Sequence, residues 1–372
     1  GFTNVTAPAC LPVGSSSLTC SPANYAVANA NQTYLFADGV HPSSAAHAIL
    51  GDFVYSMIEA PANMGMLAET GLRVRESHLR TLGQGFNGAY RGEIGRMTAF
   101  ASVDGGKYDY SATPIAQGVA NDVSAFTAGV TFRASESTVL GLAVGKSKAD
   151  ATFTNGLGTY RADETAVSLF GGGSVAGAYF RGMLTTGDLK FDSIRRNVQL
   201  GPVTRVASGN AGGANFSSVF NLGYDFKFGD VTVGPFIGYT QQNVEVNDFY
   251  EDGAGAANLR YDKQFRKSKV SSLGARAYAV IGNFVPYAGV SFEKEHNNPE
   301  RFVTATPSTF TTATGNSYSI PTFRGDDTWG SAAIGVNGKF TDRISAGLAY
   351  STIFSRSNVK SDALTASVTV AF

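Results

Sequence analysis

Residues 92–372 alternate between apolar and small or polar side chains with a period of two, and this alternation constrains the fold more than any other feature. In one segment Phe220, Leu222 and Tyr224 alternate with Asn221 and Gly223. Successive side chains of a β-strand point to opposite faces, so each such segment has one apolar and one small or polar face. About twelve segments of this kind follow one another. They begin near Ile94, Val123, Thr138, Arg161, Val175, Phe216, Val231, Lys269, Phe284, Thr328, Arg343 and Leu364.

The connections between these segments alternate in length. Short ones are predicted at 134–137, 173–174, 229–230, 282–283 and 341–342. Long, polar, strand-poor ones are predicted at 106–121, 153–160, 191–214, 246–262 and 296–326, with a shorter one at 356–361. Short turns at one end and long loops at the other are typical of a transmembrane barrel, whereas a soluble sandwich does not sort its loops in this way. The pattern therefore predicts an all-β fold, a transmembrane antiparallel β-barrel of about 12 strands.

Composition separates this prediction from a soluble β-sandwich or barrel. Charged residues make up 16% of the chain and aromatic residues 12%. A soluble sheet would place its apolar face in the core and a charged face outward, but here the second face is too small and too uncharged for a water-exposed surface. No stretch approaches the roughly 20 apolar residues of a membrane helix, while the β-segments reach the roughly 9–11 residues of a membrane-spanning strand.

Two helices are predicted before the sheet. The first follows Pro42, runs over 44–59 with one apolar face, and is predicted to end at Pro61. The second runs over about 63–82 and ends at Gly83 and Gly85. Charged side chains are scattered around this second helix rather than confined to one face, which suits the polar lumen of a barrel. They are Glu69, Arg73, Arg75, Glu76 and Arg80.

The chain ends on an alternating apolar strand, from Leu364 to Phe372. This segment resembles the C-terminal strand signal of outer-membrane proteins, an alternating apolar strand that ends in Phe. The resemblance implies that the barrel-assembly machinery is a partner and that it binds at Phe372.

The run Asp38-Gly39-Val40-His41-Pro42 resembles the last conserved block of the GDSL (SGNH) esterase and lipase family. The helix over 44–59 matches that family's closing helix. The resemblance implies that His41 is the general base of a Ser-His-Asp triad and that Asp38 orients it. No Gly-Asp-Ser occurs in the chain, so the nucleophile is expected upstream of Gly1 and the 372 residues are expected to be inactive alone.

Together these segments resemble the esterase autotransporters of the Gram-negative outer membrane. The resemblance implies the C-terminal remnant of an α/β SGNH hydrolase passenger at 1–60, a linker helix through the lumen at 61–85, and the barrel at 92–372. It implies an outer-membrane location, with the passenger and its ester substrate at the cell surface. The chain lacks a start Met and is interpreted as the C-terminal part of a longer precursor. Two alternatives remain: a free-standing outer-membrane porin or channel, and a soluble esterase with an accessory β-domain.

Cysteine and histidine usage supports few other sites. Cys10 and Cys20 lie within a segment predicted to be an irregular surface loop (1–31) and favour a disulfide in an exported protein. His47 is predicted to be a plain helix residue. His78 and His296 have no partner at metal-ligand spacing, so neither a metal site nor a cofactor is expected.

The charge of the chain gives the remaining expectations. The formal net charge is zero, which gives no reason to expect a nucleic-acid or anionic-membrane partner. A basic run enters one strand and indicates either a solvated strand end or contact with anionic lipopolysaccharide of the outer membrane. Its members are Arg260, Lys263, Arg266, Lys267 and Lys269. We expect the chain to act as a monomer.

Overall fold

Twelve antiparallel strands close into one barrel in the computed structural model, which describes residues 1–89, 93–310 and 316–372. Each strand pairs with its neighbours along the chain, and the last pairs with the first, from Val359 opposite Tyr110 to Ala371 opposite Thr98. The strands are β1 (Met97–Tyr110), β2 (Val119–Arg133), β3 (Thr138–Phe153), β4 (Gly158–Val175), β5 (Ala178–Leu200), β6 (Val203–Tyr224), β7 (Val231–Val246), β8 (Gln264–Ala279), β9 (Phe284–Glu295), β10 (Thr328–Lys339), β11 (Ile344–Phe354) and β12 (Val359–Ala371).

The two faces of the barrel wall have the polarity expected from the alternation. Apolar side chains stay exposed on the outer face, and Phe220, Leu222 and Ile237 are typical of them. Small or polar side chains such as Thr127 and Ser168 are buried on the inner face. Closure pairs the strand edges, so this apolar surface can face hydrocarbon without unsatisfied backbone groups. The predicted transmembrane β-barrel and its strand number are confirmed.

The barrel has a turn end and a loop end. Connections at the turn end span 134–137, 176–177, 225–230, 280–283 and 340–343. The connection at 225–230 includes a short strand, Phe226–Phe228, which pairs with Val231–Val233 of β7. The loop end carries 111–118, 154–157, 247–263, 296–327 and 355–358. The predicted long loop at 191–214 is wrong. Strands β5 and β6 run on for 23 and 22 residues and meet in a turn at 201–202, because their backbones continue to pair beyond the barrel wall, from Ile194–Gly209 to Leu200–Val203.

The two longest loops contain a small sheet of their own. Four short strands pair antiparallel in the order Phe249–Tyr250, Leu259–Tyr261, Phe302–Pro307 and Tyr318–Pro321. The strand-poor composition of these loops did not indicate this sheet. Val303, Leu259 and Tyr261 of this sheet are buried and pack in the same apolar cluster as the helices. This packing stabilises the sheet.

Residues 1–89 contain three α-helices: α1 (Ala30–Thr33), α2 (Ser44–Met64) and α3 (Met66–Ala89). Helix α3 lies in the lumen and α2 lies beyond the loop end, with a turn at Gly65 between them. No helix among residues 1–89, 93–310 and 316–372 combines the length and apolarity needed to cross a bilayer.

Both predicted helix ends are wrong. Pro61 lies inside α2 because the Met57 carbonyl, which a proline cannot bind, accepts a hydrogen bond of 2.5 Å from the Tyr318 hydroxyl. Gly83 and Gly85 lie inside α3 rather than after it. Gly85 allows α3 to pack closely against β1, since a Cβ at this position would overlap the ring of Phe100.

The first 43 residues also contain order that was not expected. Asn4–Pro8 pairs in parallel with Tyr34–Phe36, so the prediction of an irregular loop over 1–31 is wrong in part. The β-branched pair Val5 and Thr6 lies in this strand, as β-propensity favours. The predicted disulfide between Cys10 and Cys20 is present.

Candidate functional site

Asp38 and His41 meet in a tight turn between the strand Tyr34–Phe36 and α2. His41 Nδ1 lies 2.8 Å from Asp38 Oδ2. The turn itself is held by Asp38, whose Oδ1 accepts hydrogen bonds from the backbone N–H groups of Val40 (2.9 Å) and His41 (2.8 Å). After Pro42, the Ser43 side chain caps α2 by accepting from the Ala46 N–H.

A third backbone N–H reaches the same carboxylate. Ser17 donates to Asp38 Oδ2 over 2.9 Å, and Ser17 lies in the loop that the Cys10–Cys20 disulfide closes. The N–H groups of His41, Val40 and Ser17, followed by the His41 side chain, hold the pKa of Asp38 well below its usual range. Asp38 is therefore a charged acceptor at neutral pH.

The His41 ring can act as a base on its other nitrogen. Its Nδ1–H donates to Asp38, which leaves the lone pair on Nε2. The His41 side chain is 61% exposed, whereas that of Asp38 is 8% exposed. Within the ranges that the structure describes, Nε2 contacts no hydrogen-bond partner. The arrangement is a charged orienter, a fixed imidazole and an accessible proton acceptor.

The other histidines lie apart from this pair. His47 Nδ1 contacts the Ser43 carbonyl on α2 at 3.2 Å. His78 is fully buried in the lumen between Thr127 and Ser168, at 2.8 Å from each hydroxyl. His296 Nε2 lies 2.8 Å from the Ser271 hydroxyl near the loop end.

The lumen is filled by a polar contact network between α3 and the barrel wall, and Arg75 is at its centre. Its guanidinium is fully buried and forms an ion pair of 2.6 Å with Glu164 of β4. It also donates to the Ser217 hydroxyl (2.8 Å) and to the carbonyls of Thr185 and Asn215 (3.0 Å each). Every donor of this guanidinium thus has an acceptor on the wall.

Further ion pairs fix the rest of the helix to the wall. Arg80 forms a bidentate pair with Asp104 of β1, at 2.8 and 3.0 Å. Glu69 accepts from Arg266 of β8 and from Arg301, each at 2.9 Å. The charges of α3 indicated a polar lumen from sequence, but their partners on β1, β4 and β8 are distant along the chain and carried no signal there.

Side chains of the loop end bind the carbonyls of the α2–α3 junction. Thr322 donates to the Ala62 carbonyl at 2.7 Å and Arg301 to that of Gly65 at 3.3 Å. Tyr318, which binds the Met57 carbonyl, stays a donor because burial raises its pKa to about 12. Gly65 is required at this junction, since a Cβ there would overlap the Thr322 side chain. The loop end therefore closes around the helix where it leaves the lumen.

The basic run divides between the two faces of the wall. Arg266 is buried and faces α3, while Lys267 and Lys269 are exposed on the outer face. Lys263 forms an ion pair with Glu245 at 2.5 Å, and Arg260 lies over the ring of Tyr250. The run is thus neither one solvated strand end nor one continuous basic surface.

Comparison with known proteins relates the barrel to one family. The family model described as the autotransporter β-domain matches residues 99–351. Among solved structures, the translocator domain of the autotransporter NalP from Neisseria meningitidis is 15% identical with a TM-score of 0.64, over 84% of this chain and 99% of that one. The β-domain of the Bordetella autotransporter BrkA is 11% identical with a TM-score of 0.51, over 74% of this chain and 100% of that one.

Curated relatives extend the match to the segment before the barrel. Esterase EstA from Pseudomonas aeruginosa is 26% identical over 321 residues, which is 84% of this chain and 49% of that protein. Lipase 1 from Photorhabdus luminescens is 23% identical over 326 residues, 84% of this chain and 46% of that protein. The chain spans about half the length of these relatives.

Proposed function

The chain belongs to the autotransporter β-domain family, and from this we propose that its barrel displays a GDSL-type serine esterase whose active site includes His41 and Asp38. As a member of that family the barrel is a translocator that lies in the outer membrane and displays its passenger at the cell surface. The turn end then faces the periplasm and the loop end the exterior. The two alternatives are less well supported. The lumen is filled by α3, which does not suit an open porin or channel. A soluble esterase with an accessory β-domain does not suit a transmembrane barrel.

The observation that carries the esterase proposal is the Asp38–His41 pair at the loop end. The 2.8 Å contact between His41 Nδ1 and Asp38 Oδ2 fixes the tautomer in which Nε2 is the base. The names of the relatives, an esterase and a lipase, agree with that chemistry. The parallel pairing of Asn4–Pro8 with Tyr34–Phe36 and the helix α2 behind it suit the tail of an α/β hydrolase.

The mechanism requires a serine from outside these 372 residues, since they contain no Gly-Asp-Ser. His41 Nε2 takes the proton of the serine hydroxyl as its oxygen attacks the ester carbonyl, and returns the proton to the leaving alkoxide. Asp38 stabilises the imidazolium that forms between these two transfers. Water then releases the acyl group by the same two proton transfers in reverse.

The proposed division of the chain follows from these roles. Residues 1–60 are the end of the passenger, 61–85 the linker and 92–372 the barrel. The part of the linker from Met66 on lies within the lumen. At the periplasmic end Phe372 is 66% exposed and its N–H donates to the Met97 carbonyl, so its ring is accessible to the barrel-assembly machinery as a partner. We further propose lipopolysaccharide as the lipid partner at the opposite end, and a monomeric barrel.

Ester hydrolysis by cells that display the full-length protein tests the proposal. In single variants of comparable triads the loss is about 10⁶-fold for the base and about 10⁴-fold for the orienter, which sets the expectation for His41→Ala and Asp38→Ala. His47→Ala is the matched control and should retain activity. Surface amounts are equalised by heat-modifiable gel mobility and antibody binding. Full activity in His41→Ala would exclude the esterase assignment and leave the translocator without a known passenger.

A further inference from the structure

Three lysines lie together on the outer face of the barrel at its loop end. Lys267 and Lys269 alternate outward on β8, and Lys294 on β9 lies opposite Ser271, the next outward position of β8. The His296 N–H donates to the Lys269 carbonyl at 2.8 Å, which continues the pairing of the two strands to the rim. The ammonium groups therefore project from one patch, which we call the lysine patch.

The charges of the lysine patch are not neutralised by the protein. Within residues 1–89, 93–310 and 316–372, none of its three ammonium groups has a carboxylate within ion-pair distance. The nearby Glu295 is buried on the inner face, where it accepts from the Ser268 hydroxyl and the Lys269 N–H. Glu245, on the neighbouring strand, forms its ion pair with Lys263. The patch thus has a net charge that an anion can compensate.

An apolar groove of about 420 Å³ lies directly below the lysine patch, toward the middle of the barrel. Leu273, Phe292, Gly330 and Phe354 form one row across four neighbouring strands, β8 to β11, at this level. The ring of Phe354 lies over Gly330, where a Cβ would overlap it. Leu273 is 64% exposed and Phe292 55%. The groove lies among these side chains, in a surface that faces acyl chains.

We propose that the lysine patch and this groove together bind lipid A, the phosphorylated glycolipid anchor of lipopolysaccharide. The proposal rests on lipopolysaccharide as the lipid partner and names its site. Phosphates of lipid A would compensate Lys267, Lys269 and Lys294, and an acyl chain would occupy the groove beneath them. The vertical order on the protein, cations toward the exterior and apolar surface toward the membrane centre, matches the order of phosphate and acyl chain in the outer leaflet.

The experiment measures the affinity of fluorescent hexa-acylated lipid A for the purified full-length protein in detergent. Near an anionic membrane surface each lysine contributes about fivefold, so the triple variant K267Q/K269Q/K294Q should bind roughly 100-fold more weakly. The control K107Q/K148Q/K360Q removes the same charge from outward positions that already face carboxylates. Lys148 pairs with Asp150, and Lys107 and Lys360 lie opposite Asp122 and Asp109. The control should bind like the wild type, and both variants should keep heat-modifiable mobility.

Two further arms separate lipid A from simpler ligands. Lipid A without its phosphates should bind as weakly to the wild type as intact lipid A does to the triple variant, and inorganic phosphate should not displace lipid A. Phe292→Ala should weaken lipid A binding several-fold. The proposal is overturned by wild-type affinity in the triple variant, by equal losses in the triple and control variants, or by displacement with phosphate alone. Ester hydrolysis by the His41 variants is independent of all these results, so failure here leaves the esterase proposal to its own test.

Discussion

Replacement of Arg75 by Met tests whether the polar network of the lumen stabilises the barrel. Arg75 and Glu164 are both fully buried, and Arg75 bonds Glu164 through two nitrogens, at 2.6 and 3.2 Å. Met removes the positive charge but keeps an unbranched side chain of similar reach, so Glu164 loses its counter-ion in a site without water access. Breaking a buried pair in this way costs about 3–5 kcal/mol.

The double variant separates the cost of the orphaned charge from that of the pair. Glu164→Gln in the Arg75→Met background removes the unpaired carboxylate, and most of the cost of breaking a buried pair comes from the charge that is left without a partner. The free energy of unfolding of R75M/E164Q should therefore be at least about 2 kcal/mol higher than that of R75M. Arg161→Met is the matched control, because Arg161 pairs with Asp150 with both side chains about half exposed, and such pairs contribute about 0–1 kcal/mol.

The assay is guanidinium unfolding of the 372-residue chain in phospholipid vesicles. The chain has one tryptophan, Trp329 on β10, so its fluorescence reports on the barrel wall alone. Linear extrapolation gives the free energy of unfolding of each variant. The reasoning is refuted if R75M lies within about 1 kcal/mol of the wild type, or if E164Q adds to its cost rather than relieving it.

Three shorter predictions concern topology, assembly and pH. Cysteine at Thr204, near the tip of the long hairpin, should react with a membrane-impermeant reagent on intact cells, and cysteine at Thr341 should not; the reverse pattern would invert the barrel. Deletion of Phe372 or its replacement by Ser should reduce the outer-membrane fraction, and normal insertion would remove the assembly role of this residue. Because backbone N–H groups depress the pKa of Asp38, this carboxyl stays charged until the pH falls well below its usual range. The pH profile of ester hydrolysis should therefore show no acid limb from Asp38 in the ordinary range of a carboxyl; an acid limb in that range would contradict this.

The barrel could be predicted because the signals that specify it lie within single strands and single turns. Each strand shows alternation with a period of two, and each connection at the turn end is short. The predicted strand starts therefore coincide with those of the structure at Thr138, Val231, Phe284 and Thr328. The long hairpin at 191–214 could not be predicted in this way. Beyond the membrane a strand needs no apolar face, and its pairing with the neighbouring strand leaves no mark in the alternation.

The site was predictable only within one turn of the chain. Asp38 and His41 are three residues apart, and their contact follows from a tight turn. Ser17, which holds the same carboxylate, is 21 residues away and had no signal. The same limit applies to Pro61, whose tolerance within α2 depends on Tyr318 from a distant loop, and to the partners of Arg75.

A disulfide between α3 and the barrel wall tests the central claim most directly, namely that a polar helix occupies the lumen of the displayed protein. The hydroxyl oxygens of Thr81 and Thr127 lie 2.6 Å apart and both residues are fully buried. Cysteines at these two positions would place their sulfur atoms close to each other, so oxidation should link them. In the full-length protein on intact cells, T81C/T127C should cross-link, as read from the linked peptides by mass spectrometry. T81C/V368C, with its second cysteine on the outer face, should not. Absence of the 81–127 link in correctly inserted protein, or equal linking of both pairs, would contradict a helix held in the lumen.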